Sequence, residues 1–310
     1  MEWGERPEWR DTPAAVRAEV ELLLGAPVLT AVTPPGGHSS HLATRLDVAD
    51  GRRVFVKSAP LSSGFADTNR AEAAITLALP EHAPAPCLLA AAETADWFTA
   101  IYADIPGSHP DLSPGSPDLD AVFAALADVA QLPVSDALKL ALRGTAAVEM
   151  AGYLHGWEAL EQNRPADLDS WAARHISDLA ALERQRFHAL AGDTLLHSDT
   201  RADNMLGLGD RVILIDWAHA LTGAAWLDVA CLAPQMILAG WKPADALIEV
   251  LAQPLLTDCD RGDVLRFWTG LTGYWQRASR MDAPPKAPGL RPYQQDAADA
   301  GLSLLKLMIG

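Results

Sequence analysis

Apolar and polar positions keep one period in the first third of the chain and another in the rest. "HLATRLDVA" (41–49) and "RRVFVKSA" (52–59) are alternating or β-branched runs, and Asp50-Gly51 between them is a strong hairpin signal. "PPGGHSSHL" (34–42) separates the first of these from a preceding strand. A further strand pair is predicted at "CLLAAAET" (87–94) and "WFTAIYAD" (97–104). Helices are predicted at "TPAAVRAEVELLLG" (12–25), with Pro13 in its first turn, and at "DTNRAEAAITLALP" (67–80). "IPGSHPDLSPGSPD" (105–118) is crowded with Pro, Gly and Ser and predicts a loop. Beyond it the patterns are helical, at 119–132, 168–190, 226–240, 263–280 and 296–310, with strands only at "RVILIDWAH" (211–219) and the flank "TLL" (194–196). There is no internal repeat. The pattern predicts an α+β chain with a small N-lobe over 1–103, an antiparallel sheet plus helix, and a larger, mainly helical C-lobe over 104–310.

With 49% hydrophobic and 21% charged residues the chain has the composition of a globular protein. No apolar run approaches the ~18 residues that span a bilayer, and the N-terminus lacks a basic flank followed by an apolar stretch, so a cytoplasmic location is expected. Three scattered cysteines suit small buried hydrophobes better than a disulfide framework. A net charge of −16 argues against nucleic acid or an anionic membrane as partner, since both require basic patches. Most of the acidity lies after residue 100, where it favours a cationic small molecule; acidity for solubility is the alternative.

Polar residues concentrate in "HSDTRADN" (197–204), between apolar stretches. Asp199 and Asn204 precede a short hairpin, turn "GLGDR" and return strand "VILID", that ends at Asp216. A hairpin brings its two ends together, so Asn204 and Asp216 converge. Together with phosphate oxygens they would form the hard oxygen site that suits Mg²⁺. Asp199, outside that shell, is free to orient a hydroxyl and accept its proton. In "VFVK", Lys57 shares a strand face with Phe55, opposite Val54 and Val56; an inward lysine needs an anion, and Glu72 or a bound phosphate can supply it. In the loop 34–42, Gly36, Gly37, Ser39 and Ser40 offer close backbone approach and hydroxyls to phosphate oxygens.

In their order along the chain, the "GGHSS" loop, the "VFVK" lysine, the H-x-D-x-x-x-x-N loop, "IDW" (215–217) and "GAAWLDVA" (223–230) resemble the aminoglycoside phosphotransferase and choline kinase-related family, small-molecule kinases with a protein-kinase-like fold. The resemblance runs from roughly residue 30 to the C-terminus. It implies that Asp199 is the catalytic base, that Asn204 and Asp216 hold Mg²⁺, and that Lys57, paired with Glu72, contacts the α- and β-phosphates of ATP or GTP. It further implies that His197 braces the loop, that Arg201 reaches the transferred phosphoryl group, that Asp228 is structural, and that the adenine bonds the backbone at Ala103 and Ile105. Ser198 stands where the family more often has glycine, which is harmless if the loop is extended there; Trp217 replaces the phenylalanine of D-F-G, as in the small-molecule branch. Asp203 is expected to be solvated or a local cap. The ten tryptophans suggest core packing with a cation-binding aromatic site among them.

A purely solvated turn leaves this spacing unexplained, and a metal hydrolase built on His197 and Asp199 lacks a second histidine pair or an H-E-x-x-H helix. The expected activity is Mg²⁺-dependent phosphorylation of a small-molecule hydroxyl, on an aminoglycoside or other cationic antibiotic, an amino alcohol or a sugar. Phosphorylation of peptide Ser/Thr in peptide natural-product biosynthesis and a regulatory pseudokinase are the alternatives.

Overall fold

The structure, a computed structural model, describes residues 7–34, 41–284 and 287–310. Helix α1 (Ala14–Leu24) leads into strand β1 (Val28–Val32), which pairs with β2 (Leu42–Val48) and through it with β3 (Arg53–Pro60). After α2 (Gly64–Ala78) come β4 (Leu88–Thr94) and β5 (Trp97–Ala103). All neighbours are antiparallel, in the order β1-β2-β3-β5-β4. Alternation sets which side chains go where: Val54 and Val56 join Leu46, Ile101 and α1's Val20 and Leu24 on one face, while Phe55, Ala59 and Tyr102 pack with α2's Ala66 and Ala73 on the other. The expected sheet, hairpin and helices are all present.

The rest is mainly helical: α3 (Asp118–Gln131), α4 (Asp136–Ala141), α5 (Glu149–Tyr153), α6 (Trp157–Gln162), α7 (Ser170–Arg184) and α8 (Arg186–Leu190) precede the short strands β6 (Thr194–Leu196), β7 (Met205–Leu208), β8 (Arg211–Leu214) and β9 (Leu221–Gly223). Then follow α9 (Leu227–Ala230), α10 (Leu232–Leu238), α11 (Pro243–Leu251), α12 (Pro254–Thr257), α13 (Arg261–Ala278) and α14 (Leu290–Ile309). One large apolar core, with Trp157, Trp217 and Trp268 fully buried in it, serves this part and also takes in Ile75 of α2. α2 further packs on the 3-10 turn Trp217–His219 and so helps to join sheet and helices.

Four expectations change. The helix over 168–190 breaks at Gln185, where Arg186 turns to donate to the Ala151 carbonyl (2.9 and 3.0 Å). The last helix starts at Leu290, six residues ahead of Asp296, because Tyr293 and Gln294 on its first turns pack inward. The strand over 211–219 ends at Leu214, and the helix over 226–240 is two short ones, α9 and α10.

Candidate active site

β6 runs directly into the polar loop, where consecutive backbone amides converge on one carboxylate: His197 N and Ser198 N donate to the two oxygens of Asp228 (2.6 and 2.9 Å). Thr200 Oγ1 adds a bond to the Asp228 carbonyl (3.1 Å). Asp228 is buried on the first turn of α9, and burial pushes its carboxyl up to about 6 against the pull of the two amides. The loop is not extended at Ser198, which has φ +67°, a left-handed conformation that glycine adopts without strain and serine does not. His197 is fully buried, donates through Nε2 to the Ile215 carbonyl (2.8 Å) and meets Trp217 edge-on at 4.8 Å. Burial depresses its basicity, so it braces the loop as a neutral ring.

The other members of the loop face each other. Asn204 Nδ2 donates to the carbonyl and to Oδ2 of Asp199 (2.9 and 2.7 Å), and the Asn204 carbonyl accepts from Ile215 N (2.9 Å), beside Asp216. The hairpin of β7 and β8, turning at Gly209 (φ +68°), therefore brings Asn204 and Asp216 together. Arg201 forks onto both oxygens of Asp203 (3.0 and 2.9 Å), stands 3.7 Å from Asp199 and lies over the Tyr293 ring at 5.8 Å. Asp203, expected to be solvated or a local cap, is the partner that orients Arg201.

Lys57 crosses from the sheet to the helical part. Its Nζ donates to both oxygens of Glu72 on α2 (2.9 and 2.7 Å) and to Oδ1 of Asp216. Burial disfavours the ammonium, but the two carboxylates outweigh it and hold Lys57 charged above its ordinary range. Burial likewise works to raise Asp216, and Lys57 overrides it, holding the carboxyl down at about 2. Asp216 has φ +63° and ψ +52°, and this left-handed kink takes the chain from β8 into the 3-10 turn Trp217–His219. Asn204 and Asp216 provide oxygen donors of the kind Mg²⁺ accepts with phosphate and water completing its shell, and Asp216 Oδ2 is not taken up by Lys57. Among the described residues no group of three or more His, Cys, Asp and Glu side chains gathers as a self-sufficient metal site.

The Ala103 amide donates to the Cys87 carbonyl (2.9 Å), and Ile105 N–H has no hydrogen bond among the described residues. Gly36, Gly37, Ser39 and Ser40 lie outside the described residues.

Asp199 opens onto a cavity of about 510 Å³ walled by Tyr153, Tyr274, Trp275 and Tyr293. Tyr153 meets Tyr274 edge-on at 5.5 Å, the Tyr274 hydroxyl accepts from Gln294 (3.2 Å) and the Tyr293 hydroxyl from Gln235 (2.9 Å), so the aromatic wall is held in place. Trp157, Trp217, Trp226 and Trp268 serve the core instead, and Trp275 is the tryptophan among the described residues that lines this cavity. The tyrosines come from α5, α13 and α14, and no local spacing marks their convergence.

A search of the solved structures returns an apo, thermostable mutant of aminoglycoside phosphotransferase APH(4)-Ia (14% identity, 95% of this chain and 99% of that one, TM-score 0.59). It also returns choline kinase LicA from Streptococcus pneumoniae (14%, 93% and 98%, TM-score 0.58) and spectinomycin phosphotransferase APH(9)-Ia in complex with ADP and spectinomycin (13%, 93% and 93%, TM-score 0.57). These likenesses establish the protein-kinase-like fold. A search of the curated proteins finds no match. Residues 31–268 match the phosphotransferase enzyme family known as APH, a span that holds Lys57, Glu72, the loop 197–204 and Asp216, and the chain belongs to that family.

Proposed function

We propose that this chain is a Mg²⁺-dependent kinase that moves the γ-phosphate of ATP or GTP to a hydroxyl of a small molecule. The observation that carries the reading is the position of Asp199: its carboxylate faces the aromatic cavity on one side and is held by Asn204 on the other, next to the Asp216–Lys57–Glu72 chain. An acceptor in the cavity would hydrogen-bond its hydroxyl to Asp199. The hydroxyl oxygen forms the new bond to the γ-phosphorus, the bond to the β-phosphate oxygen breaks, and the proton passes to Asp199.

Asn204 and Asp216 would hold Mg²⁺, which when bound offsets phosphate charge. With Asp216 committed to the metal, the Lys57 donor that it holds here would be available to the α- and β-phosphates, and Glu72 would keep the ammonium in place. Arg201, fixed by Asp203, stands close enough to Asp199 to meet the transferred group. We assign nucleotide binding to residues 1–103, including the backbone of Ala103 and the loop with Gly36, Gly37, Ser39 and Ser40, with Ile105 just beyond, and acceptor binding to 104–310. Catalysis is then positioning and charge neutralisation.

Two variants test the reading. Asp199→Asn keeps Mg·nucleotide affinity within about twofold and lowers turnover by ~10²–10⁴. Asp216→Ala weakens Mg·nucleotide binding itself, measured by calorimetry. Unchanged turnover in Asp199→Asn overturns the assignment.

A further inference from the structure

Resting on the kinase reading, we propose that the acceptor carries a carboxylate and that Arg143 is the residue that reads it. Arg143 lines the same cavity as Asp199, and the backbone fixes where it stands. Thr222 N donates to the Gly144 carbonyl (3.2 Å), and the Thr222 carbonyl accepts from Ala146 N (2.7 Å). Thr222 is the middle residue of β9, paired with Leu195 of β6, and β6 continues into His197 and Asp199. The segment that carries Arg143 is therefore hydrogen-bonded into the small sheet that positions the catalytic loop.

The guanidinium is also oriented. Its Nη1 donates to Nδ1 of His219 (3.2 Å), which lines the cavity from the 3-10 turn after Asp216. Among the described residues Arg143 has no ion-pair partner, whereas Arg201, the other arginine of the cavity, is engaged by Asp203 and Asp199. A guanidinium at a ligand site without a carboxylate of its own is a ready fork for one from the ligand.

The charge balance of the cavity points the same way. Its ionic residues are Arg143 and Arg201 against Glu149 and Asp199, so the acidity of the chain, net −16, is not focused here. A polycation would find only Glu149 uncommitted. Among the described residues that line the cavity Arg143 is the cation without an ion pair, so a monoanion matches it one to one, whereas a phosphate dianion leaves a charge unmet. The aromatic walls of Tyr153, Tyr274 and Trp275 suit an apolar or aromatic body behind that group. The substrate class is a hydroxy acid with such a body, its hydroxyl at Asp199.

The test measures nucleoside diphosphate release with Mg·ATP for matched trios: hydroxy acids with an aryl or alkyl body, their methyl esters and the corresponding amino alcohols, with an aminoglycoside added. Wild-type protein is expected to prefer the acids. Arg143→Gln should raise KM for the acids 10- to 100-fold, to the level of the esters, with KM for ATP within about twofold, and Arg143→Lys should recover part of the loss. The loss in Arg143→Gln should exceed that in Glu149→Gln at least tenfold. Preference for amine-bearing members, with Glu149→Gln the more damaging variant, overturns the inference and leaves the kinase reading standing. So does an equal fall in kcat on every member in Arg143→Gln. Turnover of no member overturns the inference as well; the kinase reading falls with it only if Mg·ATP binding is absent or insensitive to Asp216→Ala.

Discussion

Two successive amides of the loop 197–204 end on the buried carboxylate of Asp228. Burial raises its carboxyl from 3.8 to about 6, so protonation favours the folded state. The stabilisation this group contributes is full below pH 3.8 and is lost as pH rises through about 6, on the order of 3 kcal/mol across the interval. Function runs the other way. A protonated carboxyl presents one acceptor fewer to His197 N and Ser198 N and loosens the loop that holds Asp199. Turnover is therefore expected to fall as pH drops through about 6 while this group's contribution to stability grows. Asp228→Asn, neutral throughout, should flatten both differences. Parallel pH series of kcat and Tm for the two proteins check this, and identical kcat profiles would refute it.

Among the elements, α6 is placed by two contacts that its own sequence does not announce. Glu183 of α7, buried, accepts from the amides of Gly156, Trp157 and Glu158 (2.6, 3.0 and 3.2 Å), filling the open donors at the start of α6. Gly156 also lies against the Gly273 carbonyl of α13, where an added Cβ would overlap the oxygen. Its φ of −176° suits any residue, so the obstacle is purely steric. Gly156→Ala should cost about 3 kcal/mol or more in urea unfolding; a cost under about 1 would mean that α6 and α13 separate freely. Such contacts mark the limit of what the chain's pattern discloses. The strands, Asp50-Gly51 and the hairpin between Asn204 and Asp216 are legible because their signals are local. α4, α5 and α6 span one or two turns and carry no period to read, and β9 is three residues long. The clustering of Asp199, Asn204 and Asp216 was legible from spacing alone. Arg143 and the tyrosine wall were not, since only the bonding of residues 144–146 to β9 and the tertiary packing of α5, α13 and α14 bring them to Asp199. The left-handed Ser198 shows the same limit at one residue: the absence of the usual glycine was visible, the backbone it adopts was not.

For the molecule as a whole, Lys57 is a cation shared by the sheet, α2 and the segment after β8 through Glu72 and Asp216. Lys57→Met leaves the two carboxylates facing each other with Glu72 buried, and removal of one member of a buried ion pair costs about 3–5 kcal/mol. Adding Glu72→Gln removes the buried charge and should recover most of that loss, because the remaining Asp216 side chain is 48% exposed and can be hydrated. Salt separates this local effect from the general repulsion of a chain with net charge −16. Raising ionic strength from 0.15 to 1 M shortens the screening length from about 8 to 3 Å, which relieves repulsion among exposed carboxylates but reaches a buried group little. All three proteins should gain thermal stability with salt, and the deficit of Lys57→Met relative to wild type should persist at 1 M. Denaturation at both salt concentrations measures it. A deficit that disappears at high salt would make Lys57 one more screened surface charge, and the link between sheet and helices would have to rest on the packing of α2 alone.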